Sequence, residues 1–146
     1  MSADGFVDDY LAYLLARASH LISGEFHAVV EASGLSLMEW RVMASLSGKE
    51  ALSIQVLADI VLAKQPTVTK LVGRMQEAGW VLRRDADHDR RQSLVSLTAA
   101  GRQKIKKLLC QAKLHEQGVL AQLGPQAAGQ LKTVLQRLIG QHQGAV

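Results

Sequence analysis

The sequence predicts a mainly helical fold in the order ααααββαα, with four helices, a β-hairpin and two further helices. Apolar residues recur three or four positions apart over most of the chain, which is helical spacing. Two short stretches, 80–84 and 92–97, have strand composition, and the polar run 85–91 is expected to join them as a loop. Residues that favour helix starts stand between these segments, namely Ser36, Ser53, Pro66 and Thr98.

The first two helices follow from periodicity and a cap pattern. Residues 7–31 carry apolar side chains at mostly helical spacing and predict a long helix that stops near Ser33. Ser36 and Glu39 form a capping-box pattern, in which each side chain accepts a hydrogen bond from the other residue's N–H. The second helix is expected to begin after Ser36 and to end at Gly48.

The third and fourth helices stand close together in the sequence. Ser53 is the expected N-cap of a short third helix. Pro66 suits the first turn of a helix over 66–78, because its missing N–H would have no partner there, and Gly79 is the expected C-cap. The predicted core positions are Val56, Leu57, Ile60 and Val61 in the third helix and Val68, Leu71, Val72, Met75 and Ala78 in the fourth.

The last two helices flank a break at Gly124-Pro125. Thr98 is the expected cap of a long helix whose apolar side chains run from Ile105 to Leu120. A final helix over 127–139 has apolar residues at clean helical spacing. The single cysteine, Cys110, lies within the long helix and is interpreted as a small buried hydrophobe.

Composition bounds the class of protein. The 146 residues predict one domain over 1–146, and 48% apolar residues are enough for a core. One cysteine allows no intramolecular disulfide, which favours a reducing compartment. The acidic N-terminus lacks signal-peptide features and no apolar run approaches the ~20 residues that span a bilayer, so we expect a cytoplasmic protein with no membrane partner.

No pattern of catalytic, cofactor or metal chemistry is found. The chain has no P-loop, no G-x-S-x-G and no paired carboxylates in an apolar context. Its five histidines form no H-x₃-H pair and no Cys/His cluster. We therefore expect no enzymatic activity, no catalytic residue, no cofactor and no metal site.

The fourth helix and the hairpin concentrate the positive charge of the chain. Residues 64–91 hold seven basic and four acidic side chains. Their net charge of 7 − 4 = +3 is most of the chain's net charge of +4. The outer helix face offers donors three or four positions apart, and a helix fits the major groove of DNA. Each feature alone is also compatible with a solvated face or a polar loop, but their joint order favours a DNA reader. The candidate DNA contacts are Gln65, Thr67, Thr69, Lys70 and Arg74 on the helix and Arg83, Arg84, Asp89, Arg90 and Arg91 on the hairpin.

These segments resemble a known family. The stretches LSLMEWRVMASL, LADIVLAKQPTVTKLVGRMQEAGWV and DHDRRQSLVSLTAAG are similar to the MarR-type winged helix-turn-helix regulators (multiple antibiotic resistance regulator family). The resemblance implies a DNA-binding lobe over 36–98 with its recognition helix at 65–77, and dimerisation helices over 1–33 and 99–146. It places Arg91 at the wing tip, in the minor groove, with Asp89 as its partner. A two-fold homodimer would set two recognition helices about 34 Å apart on a palindromic operator.

The resemblance also implies a small effector. Such regulators are typically repressors released by a ligand, often an aromatic or phenolic acid, bound between the dimerisation helices and the DNA-binding lobe. The candidate ligand residues are Tyr13, Arg17, His20, Trp40 and Arg41. The alternatives are a core position for Trp40 and a salt-bridging or dimer-contact role for Arg17 and His20.

The sequence disfavours two other branches of the family and leaves one further function open. No cysteine stands near the start of the first helix, which disfavours peroxide sensing, and the histidine spacing disfavours zinc sensing. A constitutive or architectural DNA-binding protein of the same fold, with no effector, remains open as the alternative function.

Overall fold

A computed structural model describes residues 5–86 and 89–143, without the side chains of 86 and 89–92. A 3₁₀ turn, Phe6–Asp9, precedes the first helix. The mainly helical fold with a β-hairpin is confirmed, and the chain divides after Cys110 into two compact units. The elements are α1 Leu11–Ala32, α2 Leu37–Leu46, β1 Leu52–Ser53, α3 Ile54–Val61, α4 Gln65–Glu77, β2 Val81–Ala86, β3 Asp89–Leu97, α5 Ala99–Ala121 and α6 Pro125–His142.

The predicted helix starts are confirmed by their hydrogen bonds. The Ser36 hydroxyl accepts from the Glu39 N–H at 3.1 Å, and the Glu39 carboxylate accepts from the Ser36 N–H at 2.8 Å. The Ser53 hydroxyl accepts from the Val56 N–H at 3.1 Å. These contacts span three residues, so the local sequence alone determines them. The end of α2 falls at Leu46, two residues before the predicted Gly48.

The sheet has three strands rather than the predicted two, in the order β1-β3-β2. Leu52 pairs with Val95 and Ser53 with Leu94, and a strand of two residues is too short for periodicity to reveal. The prediction of a loop over 85–91 was wrong, because β2 runs to Ala86 and β3 begins at Asp89. Strand residues that face water can be polar, so the polar composition of 85–91 gave no indication of strands.

Helices α2 and α4 supply the largest share of the fully buried core of the unit that ends at Cys110. Its fully buried side chains are Val30, Val42, Met43, Leu46, Leu57, Val68, Val72, Met75, Val81, Val95 and Ile105. Two predicted core positions of α3, Val56 and Ile60, are exposed, because Ile54, Leu57, Ala58 and Val61 form the buried stripe at i, i+3, i+4 and i+7. Ala78 is also exposed rather than buried, since it is the C-cap of α4 and lies beyond the last core-facing turn.

Thr98 joins the end of α4, the hairpin and α5. Its hydroxyl donates to the Gly79 carbonyl at 2.6 Å and lies 3.1 Å from the Trp80 carbonyl oxygen. Its own N–H donates to the Trp80 carbonyl at 3.1 Å. The same hydroxyl accepts from the Gly101 N–H at 2.9 Å, which confirms Thr98 as the cap of α5.

Lys104 ties the end of α1 to the first turns of α5. Its ammonium donates to the Ser33 carbonyl oxygen at 2.9 Å and lies 5.5 Å from the centre of the Trp80 ring. A cation suits the carbonyl end of a helix, and an indole face attracts it as well. One side chain therefore contacts both the terminus of α1 and Trp80, two residues beyond the C-cap of α4.

The second unit, which begins at Gln111, consists of the rest of α5 and α6. Gly124 adopts φ +83° before Pro125, so the predicted break is confirmed. Lys132 and Glu116 form an exposed ion pair at 3.0 Å between the two helices. Of the apolar residues on α6, Ala128 is buried while Leu131, Val134 and Ile139 are exposed.

Cys110 is exposed, so its interpretation as a buried hydrophobe was wrong. Ile105 and Leu108 define the core-facing side of α5. Cys110 follows Leu108 by two residues, which is a rotation of about 200° around a helix. Its side chain therefore lies on the side of α5 that faces away from the core.

Gly101 is expected to be irreplaceable at this junction. A Cβ built on it would overlap the Trp80 carbonyl oxygen and press on the Leu97 side chain. Gly101→Ala should lower the free energy of unfolding by about 3 kcal/mol, because backbone must move to make room. Gly73→Ala is the matched control: no atom lies within 4 Å of its Cβ, and alanine should stabilise the helix by about 1 kcal/mol. Equal urea midpoints for Gly101→Ala and the parent chain would contradict the close approach.

Candidate nucleic-acid interface

A tight turn at Leu62–Lys64 joins α3 to α4. Leu62 adopts left-handed backbone angles, φ +60° and ψ +44°, and the Ala63 N–H donates to the Ala58 carbonyl at 3.0 Å. This bond ends α3 and redirects the chain into α4. The Leu62 side chain is 90% exposed, so no burial compensates for its backbone strain.

Helix α4 separates its apolar and polar residues cleanly. Val68, Leu71, Val72 and Met75 are buried, as the sequence predicts. Its 13 residues give a length of about 20 Å, enough to lie along a major groove. On the outer side Gln65, Thr67, Lys70 and Arg74 are exposed, whereas Thr69 is half-buried.

The N-terminus of α4 lacks a side-chain cap. Its N-cap residue is Lys64, which makes no capping hydrogen bond from its side chain, and Pro66 contributes no N–H. The N–H groups of Gln65 and Thr67 therefore stand at the positive end of the helix dipole without a side-chain acceptor. Such a terminus is suited to an anion such as a phosphate.

Arg83 is held by two contacts that the sequence did not reveal. Its backbone N–H donates to the Gln76 side-chain oxygen at 2.9 Å, and its guanidinium donates to the Ser93 hydroxyl at 2.9 Å. Ser93 is only 7% exposed, and the guanidinium satisfies its buried hydroxyl. Ser93 lies two residues before the buried Val95 and therefore on the same face of β3, and this alternation was the available signal for a buried polar residue.

Of the remaining hairpin candidates, Arg84 has a described side chain and the other three do not. Arg84 is exposed and follows Arg83 along β2, so the two side chains point to opposite faces of the sheet. Asp89, Arg90 and Arg91 belong to β3 by their backbone, but their side chains lie outside the described residues.

The structure brings two of the five candidate ligand residues together at one cavity. Trp40 and Arg41 of α2, both half-buried, line an open cavity of about 320 Å³ with Ser19 and Ser23 of α1. Ile60, Val61 and Leu62, at the end of α3, also line it. Arginine, hydroxyl and indole groups around one space are suited to a small molecule with an acidic group and a ring.

The other three candidates, Tyr13, Arg17 and His20, are exposed on α1 and are not among the residues that line this cavity. The sequence predicted that the face of α1 with Tyr13, Arg17 and His20 meets a ligand. In the structure a neighbouring face, with Ser19 and Ser23, lines the cavity with α2. Trp40 also packs against Phe26, with ring centres 5.8 Å apart, which gives it a structural role besides.

Within 5–86 and 89–143, no group of three or more His, Cys, Asp and Glu residues is placed to hold a metal ion. Across the same ranges, no helix is long and apolar enough to cross a membrane.

A short helix, a turn, a second helix with polar outer residues and an antiparallel hairpin together define a winged helix-turn-helix protein. The MarR family model matches residues 33–92. The crystal structure of the MarR family transcriptional regulator SPO1453 from Silicibacter pomeroyi is 38% identical in sequence, with a TM-score of 0.82, over 94% of this chain and 98% of that one. The chain belongs to the MarR family of transcriptional regulators.

Two further proteins resemble this chain, one in sequence and one in fold. The homoprotocatechuate degradative operon repressor of Escherichia coli is 25% identical over 90% of this chain and 88% of its own length. The crystal structure of NadR in complex with 4-hydroxyphenylacetate shares the fold, with a TM-score of 0.81 and 22% identity over 94% of this chain and 95% of that one. Other curated relatives bear the names of repressors and of one activatory protein.

Leu62 provides a test of the turn. Leu62→Gly should unfold at higher denaturant than Leu62→Ala, by about 1 kcal/mol, because glycine adopts φ +60° without steric cost. Both substitutions remove the same exposed side chain, so their difference isolates the backbone. Urea unfolding of the two variants measures it, and a less stable glycine variant would contradict the left-handed geometry.

Proposed function

We propose that this protein is a homodimeric repressor that binds a palindromic operator and is released by a small aromatic carboxylate or phenol. The DNA-binding part of this proposal rests on one observation about α4. Its inner face is buried, and its outer face and N-terminus present hydrogen-bond donors. The comparisons favour a regulator, since the relatives are transcription regulators rather than enzymes. We infer that it acts in the cytoplasm, where its DNA would lie.

In this proposal α4 enters the major groove. The N–H groups of Gln65 and Thr67 would meet a phosphate and fix the depth of the helix. Lys70 and Arg74 lie one turn apart on the exposed side and would reach guanine edges or phosphates. Thr67 would pack on a thymine methyl or donate to a base, and Thr69, half-buried, would approach the DNA backbone.

The hairpin would act as the wing. Arg91, with Asp89 as its partner and Arg90 beside it, would enter the minor groove, where narrow tracts attract arginine. Arg84 would contact a phosphate from the exposed face of β2. Arg83 would serve mainly to hold the wing, because its guanidinium already donates to Ser93.

Exposed apolar surface supports a dimer. On α1, Leu11, Leu14, Leu21 and Ile22 are exposed, and α6 exposes Leu131, Val134 and Ile139. Runs of exposed apolar residues on helices indicate an interface. We therefore assign 36–98 to a DNA-binding lobe and 1–33 and 99–146 to dimerisation, within one domain.

The cavity beside Trp40 and Arg41 is the proposed effector site. Arg41 would pair with the carboxylate or phenolate and Trp40 would face the ring. Tyr13, Arg17 and His20 do not line this cavity and stay predictions of ligand contact from the sequence. The phenolic acid bound by NadR supports this class of ligand. Ligand would favour a dimer with wrongly spaced recognition helices, and a coupling of ~1–3 kcal/mol would weaken operator binding about 5- to 150-fold.

Lys70→Met tests the DNA face. The purified dimer is titrated by fluorescence anisotropy on the DNA upstream of its own gene and on a scrambled duplex, at several salt concentrations. If Lys70 contacts a phosphate, the variant should bind more weakly and its log K against log salt slope should fall by about one. Lys107→Met, on exposed α5, is the matched control. Unchanged affinity and slope for Lys70→Met would remove α4 from the interface.

Arg41→Met tests the effector site in the same assay. Without ligand the variant should bind the operator like the parent chain, since Arg41 lies in the cavity and not on the outer face of α4. Release by 4-hydroxyphenylacetate or a related phenolic acid should need at least about tenfold more ligand, because a charge-assisted hydrogen bond is lost. Equal release of both proteins would exclude Arg41, and no release by any aromatic acid would favour a constitutive DNA-binding protein.

A further inference from the structure

We propose that a groove between the end of α2 and the first turns of α5 is a second small-molecule site that binds an aliphatic carboxylate. The groove encloses about 270 Å³ and is separate from the cavity beside Trp40 and Arg41, because the two share no lining residue. This proposal does not depend on the proposed effector site or on DNA binding.

The floor of the groove is aliphatic. Leu46 and Ile105 are fully buried beneath it, and Leu97 and Leu109 are half-buried at its sides. No aromatic side chain is among its lining residues. Apolar contact here would therefore come from an alkyl chain, with no ring face to stack on.

Three cations stand around this floor, namely Lys49, Arg102 and Lys106. All three are exposed, and no acid is among the described residues that line the groove. Their positive field has no lining carboxylate to neutralise it, so an anion is the complementary ligand. Charge at the rim over an apolar floor matches a molecule with one ionised end and an alkyl tail.

The backbone holds two of these cations in position. The Lys49 N–H donates to the Leu46 carbonyl at 3.0 Å, in a turn where Gly48 adopts φ +79°, and this places Lys49 beside the end of α2. One guanidinium nitrogen of Arg102 donates to the Leu97 carbonyl at 3.1 Å. Arginine has five N–H donors, so further donors remain for a carboxylate.

The size of the groove limits the ligand. Small-molecule sites usually enclose about 300–1,000 Å³, so this one suits a short chain of about six carbons rather than a long fatty acid. It lies at the base of the hairpin, next to Leu97, the last residue of β3, whereas the wing tip is at the other end of that strand. A ligand there would leave the outer face of α4 and the wing uncovered.

The isoleucine methyl groups make a direct test possible. Ile105 lines this groove, Ile60 lines the cavity beside Trp40, and Ile22 and Ile139 stand on exposed apolar faces. Full-length protein labelled at its isoleucine methyls is titrated with sodium hexanoate, at constant ionic strength, and observed by methyl NMR. We expect the Ile105 methyl to shift and saturate in the millimolar range while the other three stay in place.

Two variants and one neutral ligand separate charge from apolar contact. Lys49→Met with Lys106→Met keeps the alkyl stems and should weaken hexanoate binding about tenfold, whereas Lys107→Met, next to the groove, should change it less than about twofold. 1-Hexanol should bind at least about tenfold more weakly than hexanoate. The same spectra report whether each variant is folded, and Lys106→Met alone serves if the double variant is not.

The proposal is overturned by any of four results. An Ile105 methyl that does not move at high millimolar hexanoate would mean that the groove is empty of this ligand. Equal shifts at Ile22, Ile60 and Ile105 would mean unspecific adsorption to apolar surface. Equal binding of 1-hexanol and hexanoate, or equal weakening by Lys106→Met and Lys107→Met, would mean that the rim cations select nothing.

Discussion

The junction around the Trp80 carbonyl is the constraint on which the unit that ends at Cys110 depends. This one oxygen accepts from the Thr98 N–H, lies within reach of the Thr98 hydroxyl, and stands against the Cα of Gly101. It marks the point where α4 has ended, β2 begins, β3 has ended and α5 begins. Fixing it sets α4, the hairpin and α5 at one place, and Lys104 adds the end of α1 through Ser33.

The two arginines that open the wing divide their tasks. Arg83 connects α4 to the sheet through Gln76 and connects β2 to β3 through Ser93. Arg84, the next residue, is exposed on the opposite face. Because successive side chains of a strand alternate, one arginine stabilises the wing while its neighbour remains accessible to an anion. Both arginines of this pair are exposed, and only the Arg83 guanidinium also donates to a buried partner.

The sequence was sufficient wherever the determining contact is local. The caps at Ser36, Ser53 and Thr98, the break before Pro125 and the buried stripe of α4 each rest on neighbours within one or two turns. It was insufficient where a distant partner decides. The strand β1 exists because β3 lies beside it, and the exposure of Val56, Ile60 and Cys110 depends on which side of each helix meets the core.

The candidate site follows the same division. The outer face of α4 could be predicted because it is the complement of its apolar stripe. The Gln76 and Ser93 contacts could not, since they join residues seven and ten positions apart across two elements. The cavity required knowing which face of α1 meets α2, and that choice brought Ser19 and Ser23 to it in place of Tyr13, Arg17 and His20.

The irregularity in the hairpin has a consequence for changes in its length. Pairing from Val81↔Leu97 to Asp85↔Ser93 is regular, and the register shifts between Asp85 and Ala86. A register shift absorbs a change in strand length that would otherwise turn every side chain to the wrong face. Insertions or deletions beyond Asp85 therefore leave the alternation of the regularly paired residues unchanged. The wing can change length during evolution, or in the laboratory, independently of the helix it accompanies.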